Sequence, residues 1–101
     1  MHDRNRHATI TVIKPDGGGD TTIHDPAKPP TIQEVQSWVG GWIEPIRPRG
    51  LAKGVHIYAH EEGRLRQMKH NREASKMMGF DLFGTVVILK GFDSPSGLAG
   101  D

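Results

Sequence analysis

The sequence predicts a single α+β domain with a mainly antiparallel sheet, flat or curled, and two short helices. Two observations lead to this fold class. Six short segments have the alternation or the β-branched content of strands, whereas the two helical segments are too few and too short for a doubly wound parallel sheet. At 101 residues, the chain also has the size of one compact domain. The predicted order of elements is β-β-α-β-β-β-α-β.

The first two strands are predicted from their composition and from the turn between them. Ala8–Ile13 alternates threonine with isoleucine and valine, which is the period of a strand. The following Pro-Asp-Gly-Gly-Gly-Asp has turn chemistry, and the short run Thr21–His24 can return as a hairpin partner. The next segment, Asp25–Pro30, contains three prolines, so we expect a loop there.

The first helix is predicted over Ile32–Val39. Thr31 and Glu34 have the spacing of a capping box, and the pair Gly40-Gly41 allows the positive φ that ends a helix. A strand is predicted to follow at Trp42–Ile46. It contains a proline, which places it at an edge of the sheet or ends it in a bulge.

A second hairpin is predicted after this strand. Alternation in its first strand directs Val55, Ile57 and Ala59 to the core, with solvent on the face that carries His56, Tyr58 and His60. Glu61-Glu62-Gly63 has the composition of the loop, with Gly63 at the position that needs positive φ. Arg64–Met68 is then the returning strand.

The last two elements are a short helix and a buried strand. Asn71 is a good N-cap for a helix that carries Ala74, Met77 and Met78, and Gly79 suits its end. Thr85–Leu89 is apolar on both faces, which predicts a strand in the middle of the sheet.

The ends of the chain have the composition of flexible segments. Residues 1–7 are predicted to be a polar lead-in and Ser94–Asp101 a frayed tail, with the folded unit between them at Ala8–Asp93. No run approaches the roughly 20 apolar residues of a bilayer span, and the start lacks a signal peptide's apolar stretch. The chain has no cysteine. We therefore expect a soluble protein of the cytoplasm with no membrane partner.

The charge distribution indicates an anionic partner. The formal net charge is only +1, which does not favour a general nucleic-acid binder. Between residues 47 and 76, however, eight Lys or Arg residues stand against three acids. A helix N-terminus and an arginine in the same segment suit phosphate or carboxylate. The predicted ligand-binding residues are Arg64, Arg66, Lys69, His70, Asn71, Arg72 and Lys76, although Asn71 is also explained as a plain helix cap.

A second candidate surface is a protein-interaction site. Trp38 and Trp42 flank the double glycine and could form an aromatic platform, although at least one of them is expected to fill the core. The exposed edge of the strand that begins at Trp42 could also pair with another chain. The predicted interaction residues are Trp38, Trp42, Glu44 and Tyr58, and pairing of an edge strand with a second copy predicts a homodimer.

Six histidines raise the possibility of a metal site or of a hydrolase. His56 and His60 lie four residues apart, which on a strand separates them by about 13 Å, too far for one ion. Glu61 and Glu62 share one wet loop, which does not suit acid–base catalysis. The triple glycine lacks the Lys-Ser/Thr ending of a nucleotide P-loop. We predict no metal, no cofactor and no catalytic residue, and a small hydrolase using a histidine stays the least favoured alternative.

Four motifs in order resemble a known family. They are Val-Gly-Gly-Trp-Ile-Glu at 39–44, His-Glu-Glu-Gly-Arg-Leu at 60–65, Asn-Arg-Glu-Ala at 71–74 and Phe-Gly-Thr-Val-Val-Ile-Leu at 83–89. They resemble a domain of unknown function found in bacteriophages, plasmids and their bacterial hosts, over about residues 10–91. The chain departs from that pattern at His60, where Asn is usual, and at 68–70, where Met-Lys-His replaces a Leu-Pro step. The resemblance implies a phage or mobile-element setting in a host bacterial cell, and no activity.

Together these observations predict a non-enzymatic accessory protein. In the leading hypothesis it binds an anionic ligand such as a nucleotide, or an acidic host protein, through the basic stretch, and so counters a host defence system. The alternative is a protein-interaction module. Salt dependence separates the two, because phosphate-type binding weakens steeply with ionic strength.

Overall fold

The computed structural model describes residues 6–100 and contains one five-stranded antiparallel sheet with a helix on each face. The strand order is β2-β1-β5-β4-β3, and the sheet is open, with β2 and β3 at its edges. This confirms the predicted fold class. The elements are β1 (Ala8–Ile13), β2 (Gly19–His24), α1 (Ile32–Val39), β3 (Ile43–Ile46), β4 (Val55–His60), α2 (Arg72–Met78) and β5 (Val86–Lys90). Of the predicted lead-in at 1–7, residues 1–5 lie outside the described residues.

The last strand, β5, occupies the centre of the sheet, as its composition predicts. It pairs with β1 on one side and with β4 on the other, both antiparallel. Val86, Val87 and Leu89 have no exposed surface. Because successive side chains of a strand point to opposite faces, β5 contributes to the core on both sides of the sheet.

Helix α1 begins and ends as predicted. The Thr31 hydroxyl accepts from the Glu34 N–H at 3.1 Å, and the Glu34 carboxylate accepts from the Thr31 N–H at 3.0 Å, which completes the capping box. Gly40 ends the helix with φ 91°. Val35 and Val39 are buried against the face of the sheet that carries Ile10, Tyr58, Val87 and Leu89.

Helix α2 covers part of the opposite face. Ala74 is fully buried there, together with Leu82 from the segment that follows the helix. The sheet side chains of this second core cluster are Ile13, Ile57, Ala59 and Val86. Neither α1 nor α2, the helices within residues 6–100, is long and apolar enough to cross a bilayer.

The predicted returning strand at Arg64–Met68 is wrong, because residues 61–67 form consecutive turns. The Arg66 N–H donates to the Glu62 carbonyl at 2.9 Å, and the Met68 N–H donates to the Gly63 carbonyl at 3.0 Å. The segment has no β-branched residue, and its long unbranched side chains favour turns of helical type. The observed order is therefore β-β-α-β-β-α-β.

The glycine of this segment also has a different role from the predicted one. Gly63 does not have a positive φ, so it is not needed for a left-handed turn conformation. It is buried. A Cβ atom at this position would lie 2.9 Å from the Phe83 carbonyl oxygen. Gly63 is therefore required for close packing against the segment around Phe83 rather than for a turn conformation.

The prediction that the His56, Tyr58 and His60 side of β4 faces solvent is wrong as well. Tyr58 and His60 are 7% and 6% exposed, because α1 and the chain after β5 cover this face. The segment 94–100 also differs from the frayed tail that its composition predicts. Leu98 is 8% exposed in the first core cluster, and the Ala99 N–H donates to the Pro30 carbonyl at 2.7 Å.

Candidate functional site

A cleft of about 750 Å³ lies beside the β3–β4 loop. Its walls are the end of β3, the loop at 47–54, the first half of β4 and the segment 92–96. We call it the β3–β4 cleft. It is lined by Pro45, Ile46, Arg47, Pro48, Gly50, Leu51, Ala52, Lys53, Gly54, Val55, His56, Ile57, Tyr58, Phe92, Ser94, Pro95 and Ser96. Its volume is within the range of about 300–1,000 Å³ that is common for small-molecule sites.

Two tight turns shape the loop wall of the cleft. The Leu51 N–H donates to the Pro48 carbonyl and the Val55 N–H to the Ala52 carbonyl, each at 3.3 Å. Each turn ends in a glycine with positive φ, at 79° for Gly50 and 84° for Gly54. These conformations disfavour other residues, so the glycines define the path of the loop.

The opposite wall is tied to β4 by a side chain. The Tyr58 hydroxyl donates to the Ser96 carbonyl at 2.8 Å, which fixes the segment 92–96 over the strand. Gly97 follows this segment, and a Cβ atom there would lie 3.1 Å from Cδ2 of His56. Close packing after β5 therefore brings residues about 40 positions apart in sequence to the same cleft.

The charged side chains of the cleft are all basic. Arg47 and Lys53 line it, and Arg49 lies in the same loop. All three are exposed, and none of them forms an ion pair within residues 6–100. No aspartate or glutamate of that range lines the cleft. The charged groups that line the cleft therefore favour an anionic ligand.

The remaining lining is largely apolar. Leu51 and Ile46 are half-buried, and Phe92 is 7% exposed on the side of the segment 92–96. The hydroxyl oxygen of Ser94 is buried and has no hydrogen-bond partner among the described residues. A cleft with partly apolar walls and two cationic side chains suits a ligand that has both an apolar part and an anionic part.

The predicted ligand-binding residues lie on a different part of the molecule, along residues 64–76. Six of the seven are exposed, namely Arg64, Arg66, Lys69, His70, Arg72 and Lys76. Three of the six already have partners. Arg66 pairs with Glu62 at 3.4 Å, His70 Nε2 lies 3.0 Å from Asp81 Oδ1, and the Arg64 guanidinium lies over the Phe83 ring at 5.2 Å.

Asn71, the centre of that predicted set, is fully buried. Its amide NH₂ donates to the carbonyls of Ile13 and Gly84 at 2.8 and 2.9 Å, and its carbonyl accepts from the Ala74 N–H at 3.0 Å. The predicted N-cap role is thus confirmed. The side chain also joins β1, α2 and the segment before β5, and this use of its amide accounts for the residue without a ligand.

The predicted interaction residues differ in how exposed they are. Trp42 is 70% exposed and Trp38 is 36% exposed, so the expectation that one tryptophan fills the core is wrong. Valines and the ring of Tyr58 fill that core instead. Glu44 is exposed on β3, whereas the burial of Tyr58 removes it from the surface.

A smaller pocket of about 120 Å³ lies where β3 and β4 meet the segment 81–83. It contains Glu44, Glu61 and Asp81 beside Arg64 and the buried His60. This volume is below the range of ordinary ligand sites. Within the described residues, no group of three or more His, Asp or Glu side chains is arranged to hold a metal ion.

Only part of the cleft has a signal in the sequence. Arg47 and Lys53 belong to the basic stretch that the charge count identifies, although the predicted ligand-binding residues lie later in that stretch, at 64–76. The contribution of Phe92 and Ser96 has no local signal in the sequence. It depends on the path of the chain after β5, which only the tertiary structure shows.

A comparison with protein-family models matches residues 8–98 to a family described as “Domain of unknown function (DUF3846)”. No curated protein matches the chain. No solved structure matches it either.

Proposed function

The chain belongs to the DUF3846 family, a domain of unknown function, and we propose that it binds an anionic small molecule in the β3–β4 cleft. The single observation that carries the proposal is the combination of Arg47 and Lys53 in a cleft of about 750 Å³ that no described carboxylate lines. An anion placed there exchanges water for two cationic donors in a partly apolar setting, where charge-assisted hydrogen bonds are strongest.

The ligand class follows from the walls of the cleft. Arginine offers a planar fork that matches phosphate or carboxylate, and lysine adds a mobile point charge. The apolar walls formed by Leu51 and Phe92 suit a flat or hydrophobic group attached to the anion. A nucleotide combines these two features, and so we place nucleotides first among the ligands to be tested.

The resemblance of the four sequence motifs to phage and plasmid proteins supports a role in a mobile genetic element. In our proposal, the protein is an accessory factor of a mobile element that acts by capture, holding an anionic signal molecule of the host. Capture needs affinity and selectivity, and it needs no reacting group at the cleft.

The first experiment compares two double variants that remove the same charge. Arg47→Ala with Lys53→Ala alters the cleft, whereas Arg72→Ala with Lys76→Ala alters the surface predicted from sequence. Nucleotides, the corresponding nucleosides and inorganic phosphate are titrated into each protein by calorimetry. We expect the cleft variant to raise Kd by about a hundredfold or more, since it removes two charge-assisted bonds that each cost about 1.5–3 kcal/mol.

The matched variant should retain the wild-type Kd, and nucleosides without phosphate should bind more weakly than nucleotides. Equal loss of affinity in both variants would show that only general charge matters. Loss in the Arg72/Lys76 variant alone would place the ligand on residues 64–76. Absence of binding of any anionic probe to the wild-type protein would remove the proposal.

The exposed apolar side chains support a second candidate, a protein-interaction module. Trp42 is 70% exposed, and tryptophan is enriched among the residues that contribute most to protein interfaces. In this case, capture of a bacterial protein would persist at high salt and would be lost in Trp42→Ala. Retention of that partner by the cleft variant would distinguish this function from anion binding.

A further inference from the structure

The two edges of the sheet differ in their capacity to accept another strand. In an antiparallel ladder, every second residue directs both its N–H and its carbonyl to the same neighbour. The Glu61 N–H donates to the Trp42 carbonyl at 2.8 Å, and the Lys14 N–H donates to the Gly18 carbonyl at 2.7 Å. With the observed registers, these two bonds determine which backbone groups point inward and which point out of each edge.

The β3 edge is blocked. Counting in steps of two from Trp42, residues Glu44 and Ile46 bond to β4, so Ile43 and Pro45 direct their backbone outward. Pro45 has no N–H, and the strand contains only four residues. An incoming strand would lose a donor in the middle of this edge, which is a common protection against edge pairing.

The β2 edge is open. Counting from Gly18, residues Asp20, Thr22 and His24 bond to β1, whereas Gly19, Thr21 and Ile23 direct their N–H and carbonyl groups outward. The 2.9 Å contact between the hydroxyls of Thr11 and Thr21 agrees with this assignment, because side chains are closest in non-hydrogen-bonded pairs. The strand has six residues and contains neither proline nor lysine.

We propose that the β2 edge pairs antiparallel with the β2 edge of a second copy of this chain, with Thr22 opposite Thr22 on the two-fold axis. A two-fold axis perpendicular to the sheet keeps each face of one copy level with the same face of the other. Directly opposed residues must therefore point to the same face, so their residue numbers differ by an even number. With Thr22 at the axis, Thr21 of each copy exchanges two backbone hydrogen bonds with Ile23 of the other. The ten-stranded sheet thus gains four ladder bonds.

Hydrogen-bonding complementarity between side chains selects this register. It places Asp20 of each copy opposite His24 of the other, in non-hydrogen-bonded pairs whose side chains lie closest. The His24 ring is already oriented, because its Nε2 lies 2.6 Å from the Thr22 hydroxyl and its centroid lies 6.1 Å from that of the tilted Phe92 ring. With Thr21 at the axis instead, Asp20 would lie opposite Thr22, and His24 would have no acidic partner.

The pairing also covers an exposed apolar side chain. Ile23 is 69% exposed on the monomer, and in the dimer it lies directly opposite Thr21 of the second copy. Two six-residue edges form a small interface, so the dimer is expected to dissociate on dilution. It involves the edge remote from β3 and does not depend on the anion-binding proposal.

The absence of cysteine from the chain permits a direct test by single-cysteine crosslinking. At the axis, the two Cα atoms of a non-hydrogen-bonded pair lie about 4.5 Å apart, within the range of about 4.4–6.8 Å for a disulfide. Thr22→Cys should therefore form an intermolecular disulfide under mild oxidation. In the same register the two Thr21 positions are about 8 Å apart, so Thr21→Cys should crosslink much more slowly, as should the control Ser37→Cys on α1.

The second arm measures mass by light scattering over a concentration series. The wild-type protein should form a concentration-dependent dimer, and Ile23→Pro should be monomeric, because it removes an outward N–H and no bond to β1. Circular dichroism checks that this variant keeps its fold. If the variant unfolds, the comparison of the cysteine variants still tests the proposed pairing. A wild-type monomer at every concentration, a dimeric and folded Ile23→Pro, or faster crosslinking of Thr21→Cys than of Thr22→Cys would overturn the proposal.

Discussion

Asn71 provides a sharp test of how this fold is held together. Its side chain is fully buried and makes three hydrogen bonds, two as donor and one as acceptor. If the residue were only a helix cap, aspartate would replace it without loss, since Asn and Asp are equally good caps. The structure predicts a different result, because an aspartate has no NH₂ to donate to the carbonyls of Ile13 and Gly84.

The magnitude can be worked out from these contacts. In Asn71→Ala, loss of the cap costs about 1 kcal/mol, and loss of each of the two buried hydrogen bonds that the amide donates, to the carbonyls of Ile13 and Gly84, costs about 1 kcal/mol. The sum of about 3 kcal/mol should lower Tm by roughly 12–24 °C for a domain of this size. Asn71→Asp should destabilise at least as much near neutral pH, because it buries a carboxylate against two carbonyl oxygens.

Thermal and urea unfolding followed by circular dichroism measure both variants. The control is Glu73→Ala, which alters an exposed residue in the first turn of the same helix and should change stability by less than about 1 kcal/mol. An Asn71→Asp protein as stable as the wild type would refute the reasoning, since it would show that only the cap contributes. A loss below about 1 kcal/mol in Asn71→Ala would do the same.

Three further substitutions test the packing by the same unfolding measurements. Gly41→Ala places a Cβ atom 2.5 Å from Nε2 of the buried His60, so it should cost about 1–3 kcal/mol, and no loss would show that the ring moves freely. Glu34→Ala removes half of the capping box and should cost about 1 kcal/mol or less, with Gln33→Ala as the neutral comparison. Leu89→Ala empties a fully buried position of the central strand and should cost about 2–5 kcal/mol; a smaller loss would indicate that the core collapses around it.

The parts of the fold that could be predicted from sequence have local causes. The capping box and the glycine after it define α1, because their hydrogen bonds join residues within one or two turns. The apolar run of β5 predicts its central position, because both faces of a middle strand must be buried. The proline in β3 predicts an edge for a similar reason, since a missing N–H is tolerated only there.

The parts that could not be predicted depend on distant segments. The alternation in β4 predicts a solvent-facing Tyr58, but α1 and the chain after β5 cover that face. Gly63 has the sequence context of a turn residue, yet its requirement comes from the carbonyl of Phe83. Likewise, the cleft becomes visible only when the segment 92–96 lies across β4, and no property of residues 45–58 indicates this.

The central position of β5 has a consequence for synthesis. Two hairpins, β1–β2 and β3–β4, precede it in the chain, and within the sheet they have no contact with each other except through this strand. A nascent chain that has not yet emerged beyond Thr85 thus exposes two separate half-cores, each with an unfilled strand position. The ribosome must release residues 86–90 before the halves can join, so productive folding is delayed until translation of this domain is nearly complete.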